Sequence, residues 1–276
     1  NALQAPKQWV QHHQIKSTLR KRWNSKMLEW NFSGQRNQRR EFDVRRSGRS
    51  DIPALSLLQH SLQSDLIVTN NKSFEIGYQL LGKNNTNIPE TGILPLIPNY
   101  VAFTNGMYAS YSRRFSIIKL DLGGRYDFTF RNIAMLTNSI PREIAYFTNK
   151  FHHIGFIGRG TINVSPKWKM LGELSLKQRP PEINELYAFG LHQGVSGIEE
   201  GNADLNRERG IKSTLQLRGR IGKKTHVDLR GYMHLFNGYI FLQPQSEFRL
   251  TIRGAFPVYT YEQCDARLTG GDFILK

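Results

Sequence analysis

The chain has 276 residues, 39% of them hydrophobic and 11% aromatic, and its 38 Lys and Arg outweigh 22 Asp and Glu to give a formal charge of +16. No stretch approaches the about 18 consecutive apolar residues of a membrane-crossing helix, and apolar residues recur too regularly for a disordered chain. The single cysteine, Cys264, excludes an internal disulfide and a zinc site built from cysteines, while the charge points first to a polyanionic partner or an anionic membrane surface.

The periodicity is two throughout. Ile118, Leu120, Leu122 and Tyr126 alternate with Lys119, Asp121, Arg125 and Asp127; Trp168, Met170, Leu174 and Leu176 alternate with Lys169, Glu173, Ser175 and Lys177. Farther on, Ile211, Leu215, Leu217 and Ile221 alternate with Lys212, Thr214, Gln216, Arg218 and Arg220, and Val227, Leu229, Met233 and Leu235 with His226, Asp228, Arg230 and His234. Each run places an apolar row on one face of a strand and a polar row on the other. In chain order the pattern predicts strands over 9–22, 26–37, 58–69, 73–82, 101–112, 116–126, 146–164, 168–178, 207–220, 225–236 and 257–268, with a twelfth beginning at 272 and reaching 276.

These strands exceed the five or six residues common in soluble proteins, whereas about nine to eleven suffice to cross a bilayer when tilted. Short connections at 23–25, 70–72, 113–115, 165–167, 222–224 and 269–271 alternate with long ones at 38–57, 83–100, 127–145, 179–206 and 237–256. With Trp9, Trp23, Trp30 and Trp168 near strand ends, this matches a transmembrane antiparallel β-barrel with short periplasmic turns and long extracellular loops. The expected fold is all-β: eleven to twelve strands of a larger barrel, with residues 1–276 forming one partial barrel domain. Since bilayer barrels close and bacterial ones have even strand numbers, a run ending inside a strand is expected to be a piece of a longer chain. The polar row, carrying Arg125, Arg159, Lys177, Arg218, Arg220 and Arg230, faces the lumen, where a basic wall suits an acidic plug or an anionic ligand.

Three loop segments have distinctive sequences. One runs Gln35-Arg36-Asn37-Gln38-Arg39-Arg40-Glu41-Phe42-Asp43 and on through Arg45-Arg46 to Asp51-Ile52-Pro53-Ala54-Leu55. Another holds Arg179-Pro180-Pro181, Glu185-Leu186-Tyr187, Gly190-Leu191-His192-Gln193-Gly194 and Glu199-Glu200-Gly201-Asn202-Ala203-Asp204-Leu205. The third is Thr251-Ile252-Arg253-Gly254-Ala255-Phe256-Pro257. In order and spacing these motifs resemble the TonB-dependent outer-membrane receptors of Bacteroidetes-type bacteria, most specifically in the second half of the chain. The resemblance implies a 22-stranded barrel filled by an N-terminal plug that this sequence does not contain. It also implies energisation by the periplasmic TonB complex through that N-terminal region, and uptake of a ferric siderophore, haem, another metal complex or a vitamin.

The candidate ligand contacts are Arg45, Arg46, His152, His153, His192, Glu199, Glu200 and Arg253, all expected on the extracellular side. Imidazole and carboxylate suit a metal chelate, yet histidines are ordinary in polar loops and no tight metal-ligand spacing occurs. The arginines suit a phosphate or carboxylate, bind lipopolysaccharide phosphates equally well, or pair with Glu41, Asp43 and Asp51. No catalytic motif, cofactor site or metal set is expected. The expected partners are outer-membrane lipid and lipopolysaccharide, the TonB complex and a small-molecule or metal-chelate ligand, with no nucleic acid; the location is the outer membrane of a Gram-negative bacterium. Two rival readings are a passive porin-like barrel and a soluble basic β-protein that binds nucleic acid or another polyanion. The latter needs a second sheet over the apolar rows.

Overall fold

The computed structural model describes residues 6–42, 52–70, 73–88, 95–137, 141–192, 196–251 and 254–276. Eight strands come first: β1 (Lys7–Trp23), β2 (Lys26–Phe42), β3 (Leu55–Asn70), β4 (Phe74–Asn87), β5 (Asn99–Phe115), β6 (Ile118–Leu136), β7 (Ile144–Ser165) and β8 (Trp168–Arg179). Helix α1 (Ile183–Tyr187) and the short strands β9 (Phe189–His192) and β10 (Gly197–Glu200) precede β11 (Glu208–Ile221), β12 (Thr225–Thr251) and β13 (Gly254–Leu275). All lie in one sheet of order β1-β2-β3-β4-β5-β6-β7-β8-β11-β12-β13-β10-β9. Its eleven long strands form an antiparallel meander, and only β10 joins its neighbour β13 in parallel. Among the described residues the sheet is not closed.

The alternation read from the sequence is the alternation of the two faces. One face is apolar and uncovered: Leu19, Leu66, Met107, Leu122, Phe156, Leu174, Leu215 and Leu229 all stand exposed on it. Among the described residues no second sheet covers this face, as a soluble sandwich would require. A contiguous apolar band of this kind marks contact with lipid or another protein. The opposite face is polar and cross-linked. Arg125 donates to both carboxylate oxygens of Asp127 and, at 2.6 Å, to Gln79 Oε1. Gln79 in turn donates to Asp65 at 2.7 Å, and Arg159 is paired with Glu173 at 2.6 Å. Gly106 lies beneath this network: a Cβ there would fall 2.1 Å from Asp127 Oδ1, so only glycine admits the ion pair above it.

At the turn end the strand limits flanking the first five predicted turns agree with expectation to within two or three residues. Asn24 and Ser116 take positive φ in the β1–β2 and β5–β6 turns, the latter lying at 116–117 where 113–115 was predicted. The other end departs further, because strands overrun their predicted limits. β6 continues to Leu136 and β7 starts at Ile144, so the expected loop 127–145 shrinks to 137–143. The β12–β13 ladder runs to Thr251 opposite Gly254, making most of the expected loop 237–256 a strand, irregular between Phe236 and Tyr239 and between Pro244 and Phe248. The alternation itself continues past 126, with Phe128 and Phe130 on the apolar face between Asp127, Thr129 and Arg131; it breaks at Asn132 and Ile133, while the hydrogen-bonded ladder runs on to Leu136 opposite Ile144.

The predicted turn at 269–271, with a twelfth strand from 272, is also corrected. β13 passes straight through, with Gly270 opposite Tyr232 and Gly271 opposite Gly231. A Cβ on Gly270 would sit 2.3 Å from the Tyr232 hydroxyl. Gly270 makes room for an aromatic ring, and the pair does not reverse the chain.

Candidate functional site: an inward-folded connection at the loop end

The connection from β8 to β11 carries the structure's main buried apolar cluster. β8 ends at Arg179, and Pro180-Pro181, lacking N–H donors, stops its ladder. Helix α1 follows, with the Glu182 amide donating to Glu185 Oε2 at 2.6 Å. The buried face of α1, Ile183, Leu186 and Tyr187, joins Ile133, Leu205 and Ile240 on the polar face of the sheet. Phe147, Phe151, Tyr100 and Tyr261 flank the cluster. The Tyr187 ring lies 5.1 Å from Phe147, and its hydroxyl bonds the Asn149 side chain. Burying each such large side chain contributes roughly 1.5–3 kcal/mol, so the connection folds back onto the sheet.

Two arginines clamp it. Arg179 donates to Glu185 at 2.8 and 3.1 Å and to Glu208 at 3.1 and 3.3 Å. Glu208 also accepts the Ile240 amide at 3.1 Å, tying β8, α1, β11 and β12 together. Arg131 on β6 is 6% exposed, donates to the Pro181 carbonyl and stacks 5.5 Å from the Phe151 centroid. Burial lowers the basicity of its guanidinium, partly offset by the carboxylate of Glu182 at 3.9 Å. Gly201 closes the module. Its amide donates to the Ala188 carbonyl at 2.7 Å and that of Asn202 to the Glu185 carbonyl at 2.8 Å. A Cβ on Gly201 would lie 2.4–2.7 Å from the backbone of residues 186–188.

Beyond α1, β9 and β10 form a small hairpin whose second strand pairs with β13, Ile198 opposite Val258. Several candidate residues meet here. His192 Nδ1 is 2.6 Å from Glu199 Oε1, with the imidazole half-exposed and the carboxylate buried. Tyr261 accepts from Asn184 Nδ2 at 3.1 Å, and its phenol is raised in pKa by burial and by the charge of Glu199. Glu200 accepts from Arg249, which also approaches Glu247 at 3.4 Å and lies 6.0 Å from the centre of the Phe189 ring. The hydrogen bond to Glu200 strengthens the Arg249 guanidinium's hold on its proton. The result is a polar ledge with Arg249 and His192 partly open to solvent, held by carboxylates beneath.

The other candidates fall elsewhere. His152 and His153 are adjacent on β7 and point to opposite faces. His152 bonds the Tyr126 hydroxyl at 2.6 Å on the apolar face, beside Phe128, whereas His153 lies on the polar face 3.8 Å from Asp127. They do not act as a pair. Arg45, Arg46 and Arg253 lie outside the described residues. Among the described residues, no three His, Cys, Asp or Glu side chains are placed to hold a metal ion. Sequence reasoning missed Arg249, Tyr261, Asn184 and Arg131. Arg249 and Arg131 sit in segments read as loops, Tyr261 sits in one read as a strand, and nothing in a single strand's alternation says that Arg131 meets Pro181 or that Tyr261 meets Asn184.

No family model matches the sequence. Solved structures do. The copper transporter OprC aligns with a TM-score of 0.73 and 14% identity over 96% of this chain and 43% of its own. The ferric-catecholate import receptor Fiu from E. coli K12 gives 0.63 and 11% over 97% of this chain and 45% of its own. The Serratia marcescens hemophore receptor HasR gives 0.62 and 10% over 97% and 46%. The chain thus spans under half the length of each, and it shares with them the fold of part of a β-barrel wall.

Proposed function

We propose that the chain forms part of the wall of a TonB-dependent receptor in the outer membrane of a Gram-negative bacterium. The whole receptor imports a metal chelate, a ferric siderophore or haem, or another scarce nutrient, by ligand-gated uptake driven through the periplasmic TonB complex. The observation that carries this reading is the combination of a receptor-barrel wall with a long connection folded onto its polar face and pinned by Arg131 and Arg179. A passive pore needs no such ordered ledge at its mouth. The structures similar in fold include a copper transporter, siderophore receptors and a hemophore receptor captured with its hemophore and haem, which supports a metal-linked cargo.

In this reading the apolar band contacts lipid, the polar face lines the lumen, and the loop end faces outward. The wall's residues bind and orient; none makes or breaks covalent bonds. Arg249 and His192, partly exposed on the ledge, meet an anionic chelate first, with Arg45, Arg46 and Arg253 of neighbouring connections as further candidate contacts. Buried Glu199 and half-buried Glu200 hold the imidazole and guanidinium in place. His153 and His152 contribute less: one is tucked beside Asp127 and the other faces away. The test is binding of ferric-catecholate, ferric-hydroxamate and haem to the complete receptor carrying this segment, by intrinsic-fluorescence quenching, paired with growth on each as sole iron source. Saturable binding and growth with one of them, both weakened by Arg249→Ala, support the proposal. Diffusive, non-saturable passage of unrelated small solutes sinks it in favour of a passive pore.

A further inference from the structure

At the loop end β7 overhangs its neighbour. The β7–β8 ladder reaches Gly155 opposite Lys177 and β8 stops at Arg179, whereas β7 begins at Ile144. Bonds closing the two ends of the β6–β7 ladder, from the Thr137 amide to the Glu143 carbonyl at 2.8 Å and from the Asn163 amide to the Ile117 carbonyl at 2.9 Å, belong to odd-numbered residues of β7. Even-numbered residues of β7 therefore turn their N–H and C=O groups away from β6. Two of these groups are met by side chains: the Ile154 amide donates to Gln178 Oε1 at 3.4 Å, and the His152 carbonyl accepts from Arg207. Among the described residues, the outward backbone groups of Ile144, Tyr146, Thr148 and Lys150 meet no partner. The side chains along this open edge are equally unanswered. Tyr146 is 77% exposed, with Ile144 and Leu136 also exposed, and the polar residues Asn132, Thr148 and Lys150 separate them from the apolar band. Arg142 and Lys150 bracket the stretch, both exposed and without a carboxylate partner among the described residues.

We infer that this edge of β7 is the docking site of an extended segment of a separate protein. The segment adds a strand to the sheet, bringing apolar side chains to Ile144 and Tyr146 and carboxylates to Arg142 and Lys150. A row of unpaired donors and acceptors is a template for strand addition, and the exposed apolar side chains beside it give the incoming strand a surface to bury. Lipid is the wrong occupant, because unpaired backbone groups are not tolerated in hydrocarbon. A second copy in the same membrane is wrong as well. A two-fold axis along the strands sets each even residue against its own copy, whereas a parallel ladder needs the residues that face across the gap to be offset by one. The inference uses the proposed barrel only for the orientation in the membrane; it does not depend on which nutrient is carried.

The test is binding of a short fluorescein-labelled peptide, valine alternating with threonine between terminal glutamates, to the complete receptor carrying this segment. It is read by fluorescence anisotropy in detergent micelles, and saturable binding is expected. Thr148→Pro deletes one outward N–H and sets its ring across the edge, while the β6–β7 ladder, which uses odd residues, stays in place. One ladder hydrogen bond contributes a factor of about two to ten, so with the added steric block binding weakens about tenfold. Thr148→Val keeps the amide and retains binding. A peptide N-methylated at alternate residues does not bind, which carries the same test on the unaltered receptor and separates a lost edge from a lost fold. Absence of saturable binding, or equal binding of the two peptides, overturns the inference. So does self-association of the receptor without peptide that Thr148→Pro abolishes, which makes the edge an interface between copies. Peptide binding needs no nutrient, so failure of chelate uptake and failure of this test are read separately.

Discussion

Gly201→Ala adds one methyl group to an exposed-looking loop, yet the structure places that methyl 2.4 Å from the Tyr187 amide nitrogen, 2.5 Å from the Leu186 carbonyl carbon and 2.7 Å from the Ala188 amide nitrogen. These are backbone atoms, so no side-chain rotation relieves the contact. The segment after β10 must move away from α1, breaking the bonds from Gly201 to Ala188 and from Asn202 to Glu185. Overpacking of this kind costs about 1–3 kcal/mol. Because only the folded-back module is strained, the cost appears as local opening, with amide exchange across 183–205 accelerating about 5- to 150-fold. Hydrogen exchange read by mass spectrometry on the micelle-embedded protein measures this directly. Gly160→Ala is the control, since a Cβ there meets nothing within 4 Å, and it leaves exchange in the module unchanged. Equal exchange in the two variants would refute the claim that residues 197–202 pack backbone to backbone against α1.

Three further outcomes follow from the same geometry. Arg179→Ala leaves Glu185 and Glu208 without their shared cation and destabilises the module by about 1.5–3 kcal/mol, while Arg179→Lys recovers only part because an ammonium cannot fork to two carboxylates; both are read from the same exchange experiment. Leu186→Ala removes a side chain only 3% exposed and costs about 2–5 kcal/mol, measurable as lost protection of α1 against proteolysis. The Tyr261 phenol, raised in pKa by burial and by Glu199, stays neutral in the folded state at pH values where the unfolded chain ionises. Its contribution is therefore complete below about pH 10 and declines as pH rises above it, so alkaline destabilisation is smaller in Tyr261→Phe.

Much of the wall was legible in the sequence because each strand's burial is decided by its own two faces. The parity read for Ile211–Ile221 and Thr225–Phe236 is the parity observed, down to Lys212, Gln216 and Arg218 on the polar side. What was not legible is everything that depends on partners distant in sequence. The extension of β6 was legible as far as Phe130, whose alternation with Asp127, Thr129 and Arg131 continues the two faces; beyond it apolar Ile133 and Met135 lie on the otherwise polar face, and parity gives no signal. The glycine pair at 270–271 reads as a turn until Tyr232 is seen to lie over it. The ledge was legible in part: the sequence put His192, Glu199 and Glu200 in one connection, and the fold brings them together. It separates His152 from His153, which strand alternation alone foretold. Arg249 reaches Glu200 across 49 positions, a distance over which local pattern says nothing.

The central claim is that the apolar rows face lipid and the polar rows face a water-filled or plugged lumen. The most direct measurement places single nitroxide labels at successive positions 118–126 of β6, with Cys264→Ser as background, in the receptor reconstituted in bilayers. Accessibility to oxygen and to a water-soluble nickel chelate is then compared position by position. The account predicts a strict period of two, with labels at 118, 120, 122, 124 and 126 favouring oxygen and those between them shielded from lipid. Uniform access to the nickel chelate, or a period near 3.6, would contradict it.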